Sequence, residues 1–116
     1  MPSRRRQSAR ASDRVIFIAE LTARDGDSAE HAAHALDEYL ETLLGAGLLA
    51  FRIGRDLESA ARIVLLEEWT STDAHDAHAQ KVPFATLQAT LAPLLVGAPR
   101  TANYEIVAAG FSDDEE

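Results

Sequence analysis

Four strand-like runs and two helical stretches, in the order β-α-β-β-α-β, predict an α+β domain: a ferredoxin-like βαββαβ sandwich. Three observations carry that prediction. Runs 14–23, 48–56, 62–70 and 101–109 are rich in β-branched, aromatic and other apolar residues. The stretches after the first and third runs repeat apolar residues at helical spacing. The second and third runs are joined only by "LESAA", short enough for an antiparallel hairpin. With 116 residues the chain has material for one core. The expected organisation is a basic disordered tail at 1–13, the domain at 14–109 and an acidic tail at 110–116.

In the first run, "RVIFIAELTA", Val15, Phe17, Ala19 and Leu21 alternate with Ile16 and Ile18, so both faces of the sheet are apolar there. Asp25-Gly26 then turns the chain, and Asp27 with Glu30 has the spacing of a capping box. Leu36, Leu40 and Leu43 form one helical stripe with Ala29, Ala32 and Ala33, and Gly45 and Gly47 are expected to end the helix. On the third run Ile63, Leu65, Glu67 and Trp69 face one way, Val64, Leu66 and Glu68 the other. Ser71 and Thr72 are N-cap candidates for a short helix, which Pro83 interrupts or follows with a second segment carrying Phe84, Leu87, Leu91 and Leu94. Pro99 precedes "TANYEIVAA", the closing strand. Both helices of such a fold cover one sheet face. The other face is apolar here, so a homodimer joined through it is expected.

Composition excludes several functions. The chain has no cysteine, which removes disulfides, thiolate nucleophiles and iron–sulfur clusters. A net charge of −8 argues against a nucleic-acid partner. Charge is concentrated at the ends, with Arg4, Arg5, Arg6 and Arg10 in one tail and Asp113, Asp114, Glu115 and Glu116 in the other. No apolar run approaches a membrane span, and no apolar region follows the arginines as a signal would require. A cytoplasmic protein without membrane attachment is expected.

The chemistry-bearing run is "LLEEWTSTDAHDAHAQKVPF", residues 65–84. Trp69 is read as a core aromatic or a cavity wall. Glu67, on the same strand face, needs a partner if buried, and backbone groups or Arg52 are candidates; it could also orient His78 or a substrate. His75 and His78 have a spacing that can share a metal ion, with Glu67 as a third ligand. The same spacing recurs at His31 and His34 on a solvated face, however, and no third ligand is clear, so no metal site is expected. His78 lies on the face of Ala74, where an imidazole with a near-neutral pKa can accept a proton or simply be a satisfied structural histidine. No glycine-rich dinucleotide motif is present, so neither flavin nor nicotinamide is indicated.

Taken together, "VIFIAELTARDG", "GAGLLAFRIGRD", "VLLEEWTSTDAHDAHAQKVPF" and "TANYEIV" resemble the antibiotic biosynthesis monooxygenase domain over roughly residues 14–108. The most specific part is Glu67, Trp69, Ser71, Ala74, His78 and Phe84. The resemblance implies a dimeric α+β barrel and a cavity bordered by Trp69. It implies a cofactor-independent monooxygenase acting with molecular oxygen on small aromatic phenols, quinols or anthrones. His78 would be the base, with Trp69, Glu67, Phe84, Leu87 and His75 at the substrate pocket and Phe17, Phe51 and Tyr39 as further wall. Haem degradation is disfavoured, because Ala19, His78 and Gln88 stand where haem-degrading relatives have asparagine, tryptophan and histidine. Leu65 and His75 stand where anthrone oxygenases carry polar residues, and no arginine lies between Arg62 and Arg100. A non-catalytic ligand-binding or dimerisation module, or an isomerase, are the alternatives on the same fold.

Overall fold

The computed structural model describes residues 13–113. Arg4, Arg5, Arg6 and Arg10 of the basic run and Asp114, Glu115 and Glu116 of the acidic run lie outside the described residues. The elements are β1 (Val15–Thr22), α1 (Gly26–Glu41), β2 (Leu48–Arg55), β3 (Arg62–Trp69), α2 (Thr72–Ala79), α3 (Val82–Leu91) and β4 (Arg100–Glu105), with a 3₁₀ turn at Ala92–Leu94. The strands form one sheet in the order β2-β3-β1-β4. All neighbours are antiparallel, with Ala19 opposite Leu65, Phe51 opposite Glu67 and Ile18 opposite both Leu66 and Ala102.

The expected barrel is not formed. The four-stranded sheet is open, with β2 and β4 as its edges at opposite ends of the strand order among the described residues. The reason is geometric: a barrel interior just wide enough for side chains takes about eight strands. The sheet is an α+β layer carrying its helices on one face, and the closed barrel is discarded.

Helix boundaries also differ from expectation in instructive ways. Asp25, not Asp27, caps α1: its carboxylate accepts from the Ser28 N–H at 2.7 Å, and that bond holds its pKa below the usual carboxylate value. Glu30, released from the expected capping box, instead accepts from Arg55 at 2.9 Å. Ser71 caps α2 by accepting from the Ala74 N–H at 3.0 Å. Pro83 opens a separate helix, the second of the two outcomes expected at that proline, so three helices stand where the βαββαβ order counts two. The closing strand is shorter than expected and ends at Glu105.

The core lies between the helices and one sheet face. Ala19 and Leu21 of β1 and Ile63, Leu65 and Trp69 of β3 meet Ala29, Ala32, Leu36 and Leu40 of α1 and Leu87 and Leu91 of α3. Every second residue of β3 is buried, which is the period-two signature of a strand covered on one side. The opposite face carries Val64 and Leu66 more than a third exposed (39% and 38%), so the described residues leave them uncovered. Gly47 has φ +108°, and a Cβ there would meet the Ala74 Cβ at 3.2 Å and the Trp69 ring at 3.4 Å. Only glycine lets this loop pass so close over the β3–α2 join.

Candidate functional site

Between the sheet and the helices lies a cavity of about 390 Å³. Most of its wall is apolar, built from residues such as Phe17, Leu36, Leu65, Phe84, Leu87 and Leu91. Its polar side chains are few: Glu67, His75, His78, Tyr39, Gln88 and Thr101, of which the first four are gathered.

Each reaches the cavity for a local reason. Strand alternation turns Glu67 inward beside Trp69, and the fully buried Trp69 indole N–H donates to Glu67 Oε1 at 2.6 Å. Arg52, the partner considered from sequence, is exposed and opposite Leu66, a residue of the other sheet face, so it does not hold Glu67. Burial raises the Glu67 pKa, while the Trp69 bond and nearby His75 act against that rise. His75 and His78 lie one turn apart on α2, which places both rings over the inner sheet face. The His78 ring stacks on Trp69 at 4.7 Å between centroids and 21° between planes. The His75 ring meets Phe17 at 4.5 Å and Trp69 edge-on at 5.4 Å.

His78 Nδ1 and the Tyr39 hydroxyl are 2.8 Å apart, joining α2 to α1. When Nδ1–H donates to the tyrosine oxygen, Nε2 keeps its lone pair. Burial, together with His75 and Lys81, lowers the His78 pKa to about 4. The imidazole is therefore neutral across the physiological range, and the near-neutral pKa expected from sequence is replaced by a much lower one. Burial, and after it the Glu67 charge, raises the Tyr39 pKa, which keeps the phenol protonated. One ligand atom from each of Glu67, His75 and His78 lies within 4.8 Å of the other two.

The structure thus gathers Glu67, His75, His78, Phe84 and Leu87 around the cavity, whereas Trp69, expected as cavity wall, is fully buried beneath the histidines and is not part of the lining. Phe17 and Tyr39 line the same cavity, whereas Phe51 does not. Sequence reasoning gave Tyr39 only a place in the wall. Its bond to His78 was unforeseen, although Tyr39 sits three residues after Leu36 on the inward stripe, where a hydroxyl needs a partner.

The family model for antibiotic biosynthesis monooxygenases matches residues 14–90, most of the described domain. The chain belongs to that family. The same fold recurs in a conserved protein from Methanosarcina mazei at 18% identity, covering 83% of this chain and 95% of that one, with a TM-score of 0.72. It recurs in Rv0793 from Mycobacterium tuberculosis at 20% identity, covering 83% and 97%, with a TM-score of 0.70. A variant of SnoaB, a cofactor-independent oxygenase from Streptomyces nogalater, matches at 15% identity over 84% and 96%, with a TM-score of 0.71. At such identities these likenesses establish the fold of this antibiotic biosynthesis monooxygenase family member, and not its substrate. No curated protein matches the chain by sequence. No helix among the described residues is long and apolar enough to cross a membrane.

Proposed function

We propose that this protein is a cofactor-independent monooxygenase that oxidises a small aromatic phenol, quinol or anthrone with molecular oxygen. The observation that carries this reading is the polar cluster of Tyr39, Glu67, His75 and His78 at one place in a mostly apolar cavity. An apolar wall takes a flat ring, and a confined polar cluster engages its one hydroxyl or acidic C–H. SnoaB, described as a cofactor-independent oxygenase, shares the fold.

The chemistry balances without an external reductant. When a phenol becomes a quinone, or an anthrone methylene a ketone, one oxygen atom enters carbon and the other leaves as water. The substrate supplies all four electrons. His78 accepts the substrate proton at Nε2. Moving a proton from a phenol of pKa about 10 to an imidazole at about 4 is uphill by roughly 8 kcal/mol. That lies below the ~17 kcal/mol barrier of a turnover per second, and the Glu67 carboxylate beside the ring stabilises the imidazolium that forms. The protein acts as a homodimer through the uncovered sheet face, where Ile16, Ile18, Val64 and Leu66 are flanked by the Arg14–Glu68 and Glu20–Arg100 pairs.

The test is oxygen uptake by chelator-treated protein over a panel of anthrones, quinols and catechols, beside His78→Ala. Uptake above autoxidation and lost in the variant is expected. Uptake retained in the variant would keep the oxygenase and remove His78 as the proton acceptor. Saturable quenching of Trp69 by the same compounds with no uptake would replace the enzyme with a ligand-binding module.

A further inference from the structure

We infer that Glu67, His75 and His78 form a binding site for a divalent first-row cation of the zinc class, held by two imidazole nitrogens and one carboxylate oxygen. The sequence offers the histidine pair without a clear third ligand. The third is supplied by β3: one ligand atom of Glu67 lies within 4.8 Å of one on each histidine. Donors bound tetrahedrally to one zinc ion stand about 3.3 Å apart, given bonds of about 2.0 Å. Side-chain rotation on ion binding would have to close that difference, and all three residues line the cavity.

The surroundings of the three groups strengthen the case independently. Metal-binding histidines characteristically have their second nitrogen held by another group, which sets tautomer and ring orientation. His78 Nδ1 is held by Tyr39 at 2.8 Å, and His75 Nδ1 lies 3.2 Å from Asp76 Oδ1. Glu67 Oε1 is held by the Trp69 indole at 2.6 Å. In each case one polar atom is fixed and the other is left for a ligand. Two imidazoles with one carboxylate and an open position suit zinc or ferrous iron, and suit calcium or magnesium poorly. The exposed His34, 3.2 Å from Glu38 on α1, belongs to no such three-residue group among the described residues and serves as the control. An ion at this site occupies the histidine nitrogen that proton transfer would use. The consequence, inhibition of turnover by zinc, rests on the oxygenase reading; the binding itself does not.

The experiment is titration of chelator-treated full-length protein with zinc chloride, followed by calorimetry and by the emission of the only tryptophan. One equivalent is expected, with a change in Trp69 emission. Glu67→Gln and His75→Ala should each weaken binding at least 10-fold, while His34→Ala should leave it unchanged. Glu67→Gln preserves side-chain shape and an acceptor for the indole, so its loss of affinity is not a folding defect. Absence of saturable binding in the wild type would overturn the inference. So would affinity unchanged in Glu67→Gln, or affinity lost in His34→Ala. Because binding is read without turnover, its failure is distinguishable from a failure of the oxygen-uptake test.

Discussion

The Trp69 indole N–H donates to Glu67 Oε1 at 2.6 Å across two residues of the same strand face. Both side chains are almost completely buried, at 0% and 3% exposure. A carboxylate at that depth has little water to satisfy it, so the indole is its principal support. The largest core side chain thereby also aligns a polar group of the cavity.

Trp69→Phe should leave Glu67 without its donor and cost about 2–4 kcal/mol, combining the lost bond and the smaller ring. Denaturant unfolding followed by circular dichroism measures this. Adding Glu67→Gln to that variant should recover part of the loss, because a neutral amide is less costly to leave unpaired. Strict additivity of the two substitutions would mean the bond contributes nothing.

Tyr39→Phe removes the hydroxyl that holds His78 Nδ1. The expected stability cost is about 1 kcal/mol. If the oxygenase reading holds, the variant should lose more in kcat than in KM, because the imidazole tautomer is no longer selected. A pure KM effect would instead make Tyr39 a wall residue.

His78 makes folding stability depend on pH in the metal-free protein. Its folded pKa, about 4, lies below the ordinary 6.5. Between those values the unfolded chain binds more protons, so stability falls as pH drops from about 6.5 toward 4. The full difference is of order 3 kcal/mol. Glu67 has the opposite sign: its raised pKa lowers stability as pH rises through the carboxylate range. Unfolding of Glu67→Gln at a series of pH values in chelator isolates the histidine, and a flat profile there would contradict its burial as a neutral ring.

Gly47→Ala should destabilise the fold by about 2 kcal/mol or more. It forces a side chain into φ +108° and within 3.2 Å of the Ala74 Cβ. Gly45→Ala, where nothing lies within 4 Å, shares the positive φ and should cost less. Thermal unfolding of the two variants compares them, and equal losses would leave only the backbone contribution.

The sequence by itself determined the order of the elements, the hairpin between β2 and β3, and the inward face of β3. These follow from periodicity, which each segment carries in its own residues: alternation buries Ile63, Leu65, Glu67 and Trp69 whatever lies above them. The positive-φ turn residues Gly45 and Gly47 were legible locally, but α1 ends earlier than they suggested, at Glu41 with Thr42 as its C-cap. Tertiary structure alone decided what those inward residues meet. Tyr39 and His78 are 39 positions apart, and no local pattern announces their bond. Hydrogen bonds are short and directional, so partnership depends on where whole elements are docked. The choice of Trp69 over Arg52 as the partner of Glu67 and the low pKa of His78 share that origin. Each depends on burial created by segments distant in the chain, which residue types and spacing do not encode.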